Sequence, residues 1–357
     1  MRGGINVALT GKKIRVLVVD DSAVARSYLI SGLSTRQNIE VVGYAVNAAD
    51  AKRKVEALQP DVMTLDVEMP DMSGIDLLKQ LLPTHPVRVI LVSSLNLRVF
   101  DALAAGAVDF VRKPDGSLTK EEFITTLAQK IVIASFAKVR SMPIARPGTQ
   151  PAQPVGANPL LGSASALEQV VIGLGASTGG TEATLEVLKR LPADIPPMVI
   201  VQHMPPGFTK MYAQRLDRLC AMEVREAVDG DDLHRGLALV APADLQCRIV
   251  RVGNSYRVSC KPGDKVSGHR PSVDVLFSSM AQTVRCKMTG IIMTGMGRDG
   301  AEGLLAMRKA GAYTIGQDKE SSVVYGMPMV ANDIGAVCVQ SPCDKIADVL
   351  LRHLKSL

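Results

Sequence analysis

A serine, a histidine and an aspartate, Ser177, His203 and Asp299, each follow a short apolar run in the second half of the chain. The serine closes "VVIGLGAS" (170–177), the histidine lies in "PMVIVQHM" (197–204), and the aspartate ends the glycine-broken "MTGIIMTGMGRDG" (288–300). A nucleophile, a general base and a carboxylate that orients the base are the groups that acyl transfer requires. A different set occupies the same kind of position in the first half. "IRVLVVDD" ends in Asp20 and Asp21, "PDVMTLD" in Asp66, "VRVILVSS" in Ser93 and Ser94, and "AVDFVRKP" in Lys113 and Pro114. Three carboxylates gathered together repel one another, which makes ionisation costly. A hard, oxygen-seeking cation such as Mg²⁺ relieves that and also suits a phosphoryl oxygen. The first half therefore reads as a phosphoryl site.

Each residue has a plainer reading when taken alone. An aspartate or serine after a strand is commonly a helix N-cap, and Asp299 by itself is better read as the cap of a helix starting at Gly300. His203 can be a hydrogen-bonded histidine at a strand terminus. His85, His234 and His269 are read as surface or structural, and His353 as a residue on the polar face of a C-terminal helix. A nucleotide site is the rival for the glycine stretch. Gly173, Gly175 and Gly179 spell G-x-G-x-x-x-G, which misses the dinucleotide fingerprint, and the next run ends at His203 where that site needs an acid. No G-K-[ST] follows, so a P-loop is excluded. One alternative stays open from the residues alone: a binding module governed by the first half, with the glycine-rich half as a cradle without catalysis.

These side chains meet only if the strands that end in them lie side by side. In both halves short apolar runs alternate with helical patterns, which predicts parallel βαβ units and doubly wound sheets whose strand ends share one crevice. A length of 357 residues fits two domains. Residues 137–165, rich in Pro, Gly, Ala and Gln and without periodicity, read as a flexible linker between domains at 13–136 and 166–357. The net charge of +6 is spread along the chain, and with no Trp and 3% aromatic residues there is no stacking platform, which argues against nucleic acid. The N-terminus lacks the apolar core of a signal peptide, and no apolar run reaches the ~18–20 residues needed to cross a bilayer, so membrane insertion is not expected. Six cysteines without C-x-x-C and five histidines without H-x-x-x-H argue against zinc and disulfides, and for a reducing cytoplasm.

Residues 13–130 resemble a response-regulator receiver domain. The resemblance implies a flavodoxin-like fold in which Asp66 accepts phosphate from a phosphohistidine kinase. It further implies that Asp20, Asp21 and Asp66 bind Mg²⁺, that Ser93 and Lys113 support the phosphoryl group, that Lys113–Pro114 is cis and that Phe110 is the switch aromatic. Residues 166–357 resemble the catalytic domain of the chemotaxis protein-glutamate methylesterases, the CheB family, on "IGLGASTGG", "VQHMPPGFTKMYAQRLD", "GHRPSVDVLF", "IIMTGMGRDG" and "VVYGMP". That resemblance implies a doubly wound, mostly parallel α/β domain with Ser177, His203 and Asp299 as triad. The Met296 N–H would then serve the oxyanion, and Thr178 would help hold the histidine. The implied substrates are glutamate γ-methyl esters, and glutamine amides as well, on the cytoplasmic domains of chemoreceptors. The implied phosphodonor is the histidine kinase CheA, phosphorylation activates the enzyme, and the catalytic half needs no metal. "LVAPADLQC" departs from the pattern, with Ala243 and Gln246 where many relatives have a glycine and a histidine.

Overall fold

The computed structural model of the protein describes residues 12–94, 97–114, 116, 119–139 and 170–357. They fall into two compact units, one within Met1–Thr149 and one within Gln150–Leu357. Most of the expected linker, residues 140–165, lies outside the described residues.

The first unit is built on strands β1 (Ile14–Val19), β2 (Ile39–Ala45), β3 (Val62–Asp66), β4 (Arg88–Ser93) and β5 (Asp109–Arg112). All neighbours pair in parallel, in the order β2-β1-β3-β4-β5. This is the flavodoxin-like order, with the ligand crevice where β1 and β3 diverge. The apolar runs are buried because helices cover both faces of a parallel sheet. Ser22, Asn47, Ser73 and Thr119 cap four of those helices through their side chains, Thr119 in a reciprocal capping box with Glu122. The cis bond expected at Lys113–Pro114 is not found. Among the described residues the cis X-Pro bond is Arg270–Pro271, and trans is the lower-energy isomer of such bonds.

The second unit holds β6 (Val170–Ala176), β7 (Met198–Gln202), β8 (Glu223–Glu226), β9 (Leu237–Val240), β10 (Gln246–Val252), β11 (Ser255–Lys261), β12 (Lys287–Ile292), β13 (Tyr313–Gln317) and β14 (Val339–Ser341). Seven of them form a parallel sheet in the order β14-β13-β12-β6-β7-β9-β8, while β10 and β11 pair as an antiparallel hairpin. The chain leaves β6 for β7 on one side and returns to β12 on the other. The strands that end in the serine, the histidine and the aspartate are thus three neighbours astride the reversal of strand order, where open α/β sheets bind ligands.

The glycines of "IGLG" have a packing role. A Cβ on Gly173 would stand 2.6 Å from Met280 Sδ, and one on Gly175 would stand 2.2 Å from Val273 Cγ1. Both neighbours belong to the helix Val273–Thr283, which therefore lies directly on β6. The incomplete dinucleotide fingerprint is a helix-on-strand contact, and Val273, Phe277 and Met280 are buried in the core that it seals.

Candidate active site

β6 delivers Ser177 and β7 delivers His203 one register step beyond the pair Ala176–Gln202. The His203 N–H donates to the Ala176 carbonyl at 3.1 Å, and the Ser177 N–H donates to the Thr294 carbonyl at 3.0 Å in the stretch after β12. Gln202, 2% exposed, donates from Nε2 to the carbonyls of Ser177 (2.8 Å) and His203 (3.2 Å), tying the two strand ends together. The same stretch after β12 carries Asp299, whose Oδ2 lies 2.8 Å from His203 Nε2. The structure thus brings the histidine and the aspartate into direct contact and sets the half-buried serine beside them. An ionised carboxylate only accepts hydrogen bonds, so Nε2 carries the proton and the lone pair resides on Nδ1. His203 Nδ1 is buried and has no hydrogen-bond partner among the described residues. The Ser177–His203 bond is therefore not formed at that nitrogen, and such bonds often close only when substrate arrives.

Asp299 does not cap the helix that follows it. It accepts from Ser272 Oγ (2.7 Å, Oδ1), the Val273 N–H (2.8 Å, Oδ2) and the Asp274 N–H (3.1 Å, Oδ1). It therefore sits at the positive N-terminus of the helix Val273–Thr283. Burial alone would push its carboxyl up, yet the hydrogen bonds from His203, Ser272 and Val273 bring it down to about 2. Asp274 shows the opposite balance: burial raises its pKa, the neighbouring Asp299 charge adds to the rise, and the Gly303 N–H only partly opposes it.

Ser272 and His269 lie within the quoted stretch "GHRPSVDVLF" and neighbour the dyad, although the sequence alone assigns neither a role. The His269 ring, read as surface or structural, stacks on His203 with centroids 3.7 Å apart and planes 7° from parallel. Thr178 is buried, and its carbonyl accepts from Thr294 Oγ1 at 3.0 Å. Gly295 faces Ser177 so closely that a Cβ there would stand 2.7 Å from Ser177 Cβ. Its carbonyl accepts from the N–H groups of Gly326 (3.1 Å) and Met327 (2.8 Å). In a trans peptide the next N–H points the other way. The Met296 N–H enters no hydrogen bond among the described residues.

In the first unit the strand ends converge as expected. Asp66, 4% exposed, accepts from Lys113 Nζ at 2.5 Å and from the Glu68 N–H at 3.1 Å. Lys113 Nζ also lies 3.4 Å from Asp20 Oδ2. Burial raises the pKa of Asp66, and Lys113 and Glu68 offset the rise only in part. Burial would lower the pKa of Lys113, but the Asp66 and Asp20 carboxylates turn the net shift upward. Ser93 Oγ is buried at the end of β4 with no hydrogen-bond partner among the described residues. Phe110 is buried in β5. Asp20, Asp21 and Asp66 bring one oxygen each within 4.8 Å of one another, and Lys113 at 3.4 Å is the neighbour of Asp20 Oδ2 among the described residues. A buried all-oxygen donor set of three carboxylates with one cation beside it fits Mg²⁺. No helix among the described residues is long and apolar enough to cross a membrane.

Residues 172–350 match the family described as CheB methylesterase, and residues 16–125 match the response regulator receiver domain. A protein-glutamate methylesterase/protein-glutamine glutaminase of Syntrophomonas wolfei is 48% identical, over 97% of this chain and 99% of its own. One from Syntrophotalea carbinolica is 45% identical over 95% of this chain and 98% of its own. Among solved structures, the CheB methylesterase catalytic domain of Thermotoga maritima superposes with a TM-score of 0.50 at 35% identity, covering 51% of this chain and 97% of that one. With a receiver fold ahead of a serine–histidine–aspartate sheet edge, and with relatives alike over nearly the whole length, the chain belongs to the CheB methylesterase family.

Proposed function

We propose that this chain is a phosphorylation-activated protein-glutamate methylesterase of the cytoplasm that also deamidates glutamine. Its substrates on this reading are glutamate γ-methyl esters on the cytoplasmic domains of chemoreceptors. The observation that carries the reading is the His203–Asp299 contact beside Ser177 at the reversal of strand order. His203 Nδ1 takes the Ser177 Oγ proton as the serine attacks the ester carbonyl. The Met296 N–H and the start of the helix Gly180–Leu188 favour the negative charge that develops on the carbonyl oxygen. The same imidazole returns the proton to the methoxide, and methanol leaves. Water then loses a proton to His203 and attacks the acyl carbonyl, restoring Ser177 and freeing a glutamate carboxylate. With a glutamine amide the leaving group is ammonia. Asp299 stays ionised and holds the imidazole by Nε2 throughout.

In the receiver, an Asp66 carboxylate oxygen attacks the phosphorus of a phosphohistidine on the kinase, CheA on this reading, as the N–P bond breaks. Asp20, Asp21 and Asp66 would hold Mg²⁺, which would neutralise charge on the phosphoryl oxygens. Lys113 and Ser93 then bind the phosphoryl oxygens.

A fluorophosphonate probe tests the catalytic reading directly. Covalent labelling that maps to Ser177 in the wild type, and disappears in Ser177→Ala, is the expected result. An unlabelled wild type would favour a receiver-governed binding module without catalysis.

A further inference from the structure

Gln246 is 1% exposed at the start of β10. Its amide is fully used, and every partner lies on the single segment 264–272. Nε2 donates to the carbonyls of Asp264 (2.8 Å) and His269 (3.2 Å), and Oε1 accepts from the Ser272 N–H (2.9 Å). Two of those three residues touch the catalytic dyad. His269 lays its ring on His203, and Ser272 Oγ donates to Asp299.

We propose that Gln246 is a positioning residue for the esterase, fixing the His203 ring through His269 and the Asp299 carboxylate through Ser272. The inference rests on the reading of Ser177 as an acyl-transfer nucleophile. A carboxamide offers two N–H donors and an acceptor at once, whereas a neutral imidazole offers one donor and one acceptor. The glutamine therefore makes three contacts where a histidine makes two. Between its anchors the segment turns tightly. The Val266 and His269 backbones bond each other, at 3.0 and 2.9 Å, across Ser267 (φ 52°) and Gly268 (φ 85°). With the amide gone, the His269 carbonyl loses its side-chain donor, and the buried Ser272 N–H loses its acceptor. A buried network of this kind is rigid while fully satisfied and loosens when one member is removed. A change in the ring plane moves the Nδ1 lone pair off the serine proton, which slows chemistry and leaves substrate binding largely intact.

The test uses the full chain with Gln246→Leu, His269→Ala, His269→Phe and the Gln246→Leu/His269→Ala double variant. The readouts are kcat and KM for methanol release from methylated receptor, the rate of fluorophosphonate labelling at Ser177, and thermal unfolding. Gln246→Leu and His269→Ala should each lower kcat and the labelling rate by ~10–100-fold with KM within about threefold. The double variant should be hardly worse than the poorer single one, because both act through one linkage. His269→Phe, which keeps an aromatic face on the imidazole, should recover most of what His269→Ala loses. If Gln246→Leu does not fold, the His269 pair decides alone, since that side chain is only half-buried on a loop. Folded variants that are labelled within twofold of the wild-type rate overturn the proposal, as do losses confined to KM or losses that multiply in the double variant. A wild type that resists labelling overturns the esterase reading itself, and this inference with it.

Discussion

His203 Nε2 lies 2.8 Å from Asp299 Oδ2, and the contact is made at the N-terminus of a helix to which neither residue belongs. The carboxylate takes four hydrogen bonds there, three from residues 272–274 and one from the histidine. One helix terminus thus fixes the acid and, through it, the tautomer of the base.

Asp299 makes a pH-dependent contribution to stability. Its pKa is depressed from 3.8 to about 2. That contribution is complete above the ordinary carboxylate range and is lost as pH falls toward about 2. The shift corresponds to roughly 2 kcal/mol. Denaturant unfolding should show wild type more stable than Asp299→Asn at pH 6, with the gap narrowing by about half near pH 3. A gap that widens on acidification contradicts the assignment.

Ser272→Ala removes both the cap of the helix Val273–Thr283 and a donor to Asp299. Loss of about 1–3 kcal/mol in denaturant unfolding is expected. A fall in kcat of ~10-fold or more, with KM little changed, should accompany it. An unchanged kcat would mean that the Ser272 hydroxyl only caps the helix.

Gly295→Ala places a methyl 2.7 Å from Ser177 Cβ and 2.4 Å from Met327 Sδ. The methionine side chain can yield, but the serine is fixed at a strand end. Turnover should fall by ~10²-fold or more in a protein that still folds. Activity close to wild type would show that Ser177 tolerates displacement.

Acetyl phosphate with Mg²⁺ should phosphorylate the wild type once, at Asp66, and raise esterase turnover. Asp21→Ala should label more weakly, because one oxygen ligand is gone. Asp66→Asn should be neither labelled nor activated. Donor-dependent activation that survives in Asp66→Asn would place control outside the aspartate pocket.

Much of this was legible in the sequence, because parallel strands buried on both faces read as continuous apolar runs that stop where polar site residues begin. Asp20, Asp66, Ser93, Lys113, Ser177, His203 and Asp299 all follow such runs. Their convergence needs strand order as well, and the two βαβ patterns implied it. The surroundings were hidden because they arise from contacts distant in sequence. Asp299 precedes Gly300 and its helix, which invites a local capping reading, while three of its four donors lie 25–27 residues back in the chain and the fourth, His203, 96 residues back. His269 lies in the stretch "GHRPSVDVLF" that carries the resemblance, but its place against the base is not readable from spacing, and only the fold stacks it on His203. Gly173 and Gly175 resembled part of a phosphate fingerprint because close helix approach and phosphate approach both demand a missing side chain.

Methanol release from methyl-labelled receptor membranes, compared between wild type and Ser177→Ala, tests the central claim most directly. His203→Ala and the double variant belong in the same assay, since triad members act as a unit and the double should be hardly worse than either single. The account predicts steady release by the wild type and a loss of ~10³-fold or more in Ser177→Ala, with folding unchanged. Release by Ser177→Ala at close to the wild-type rate would contradict it.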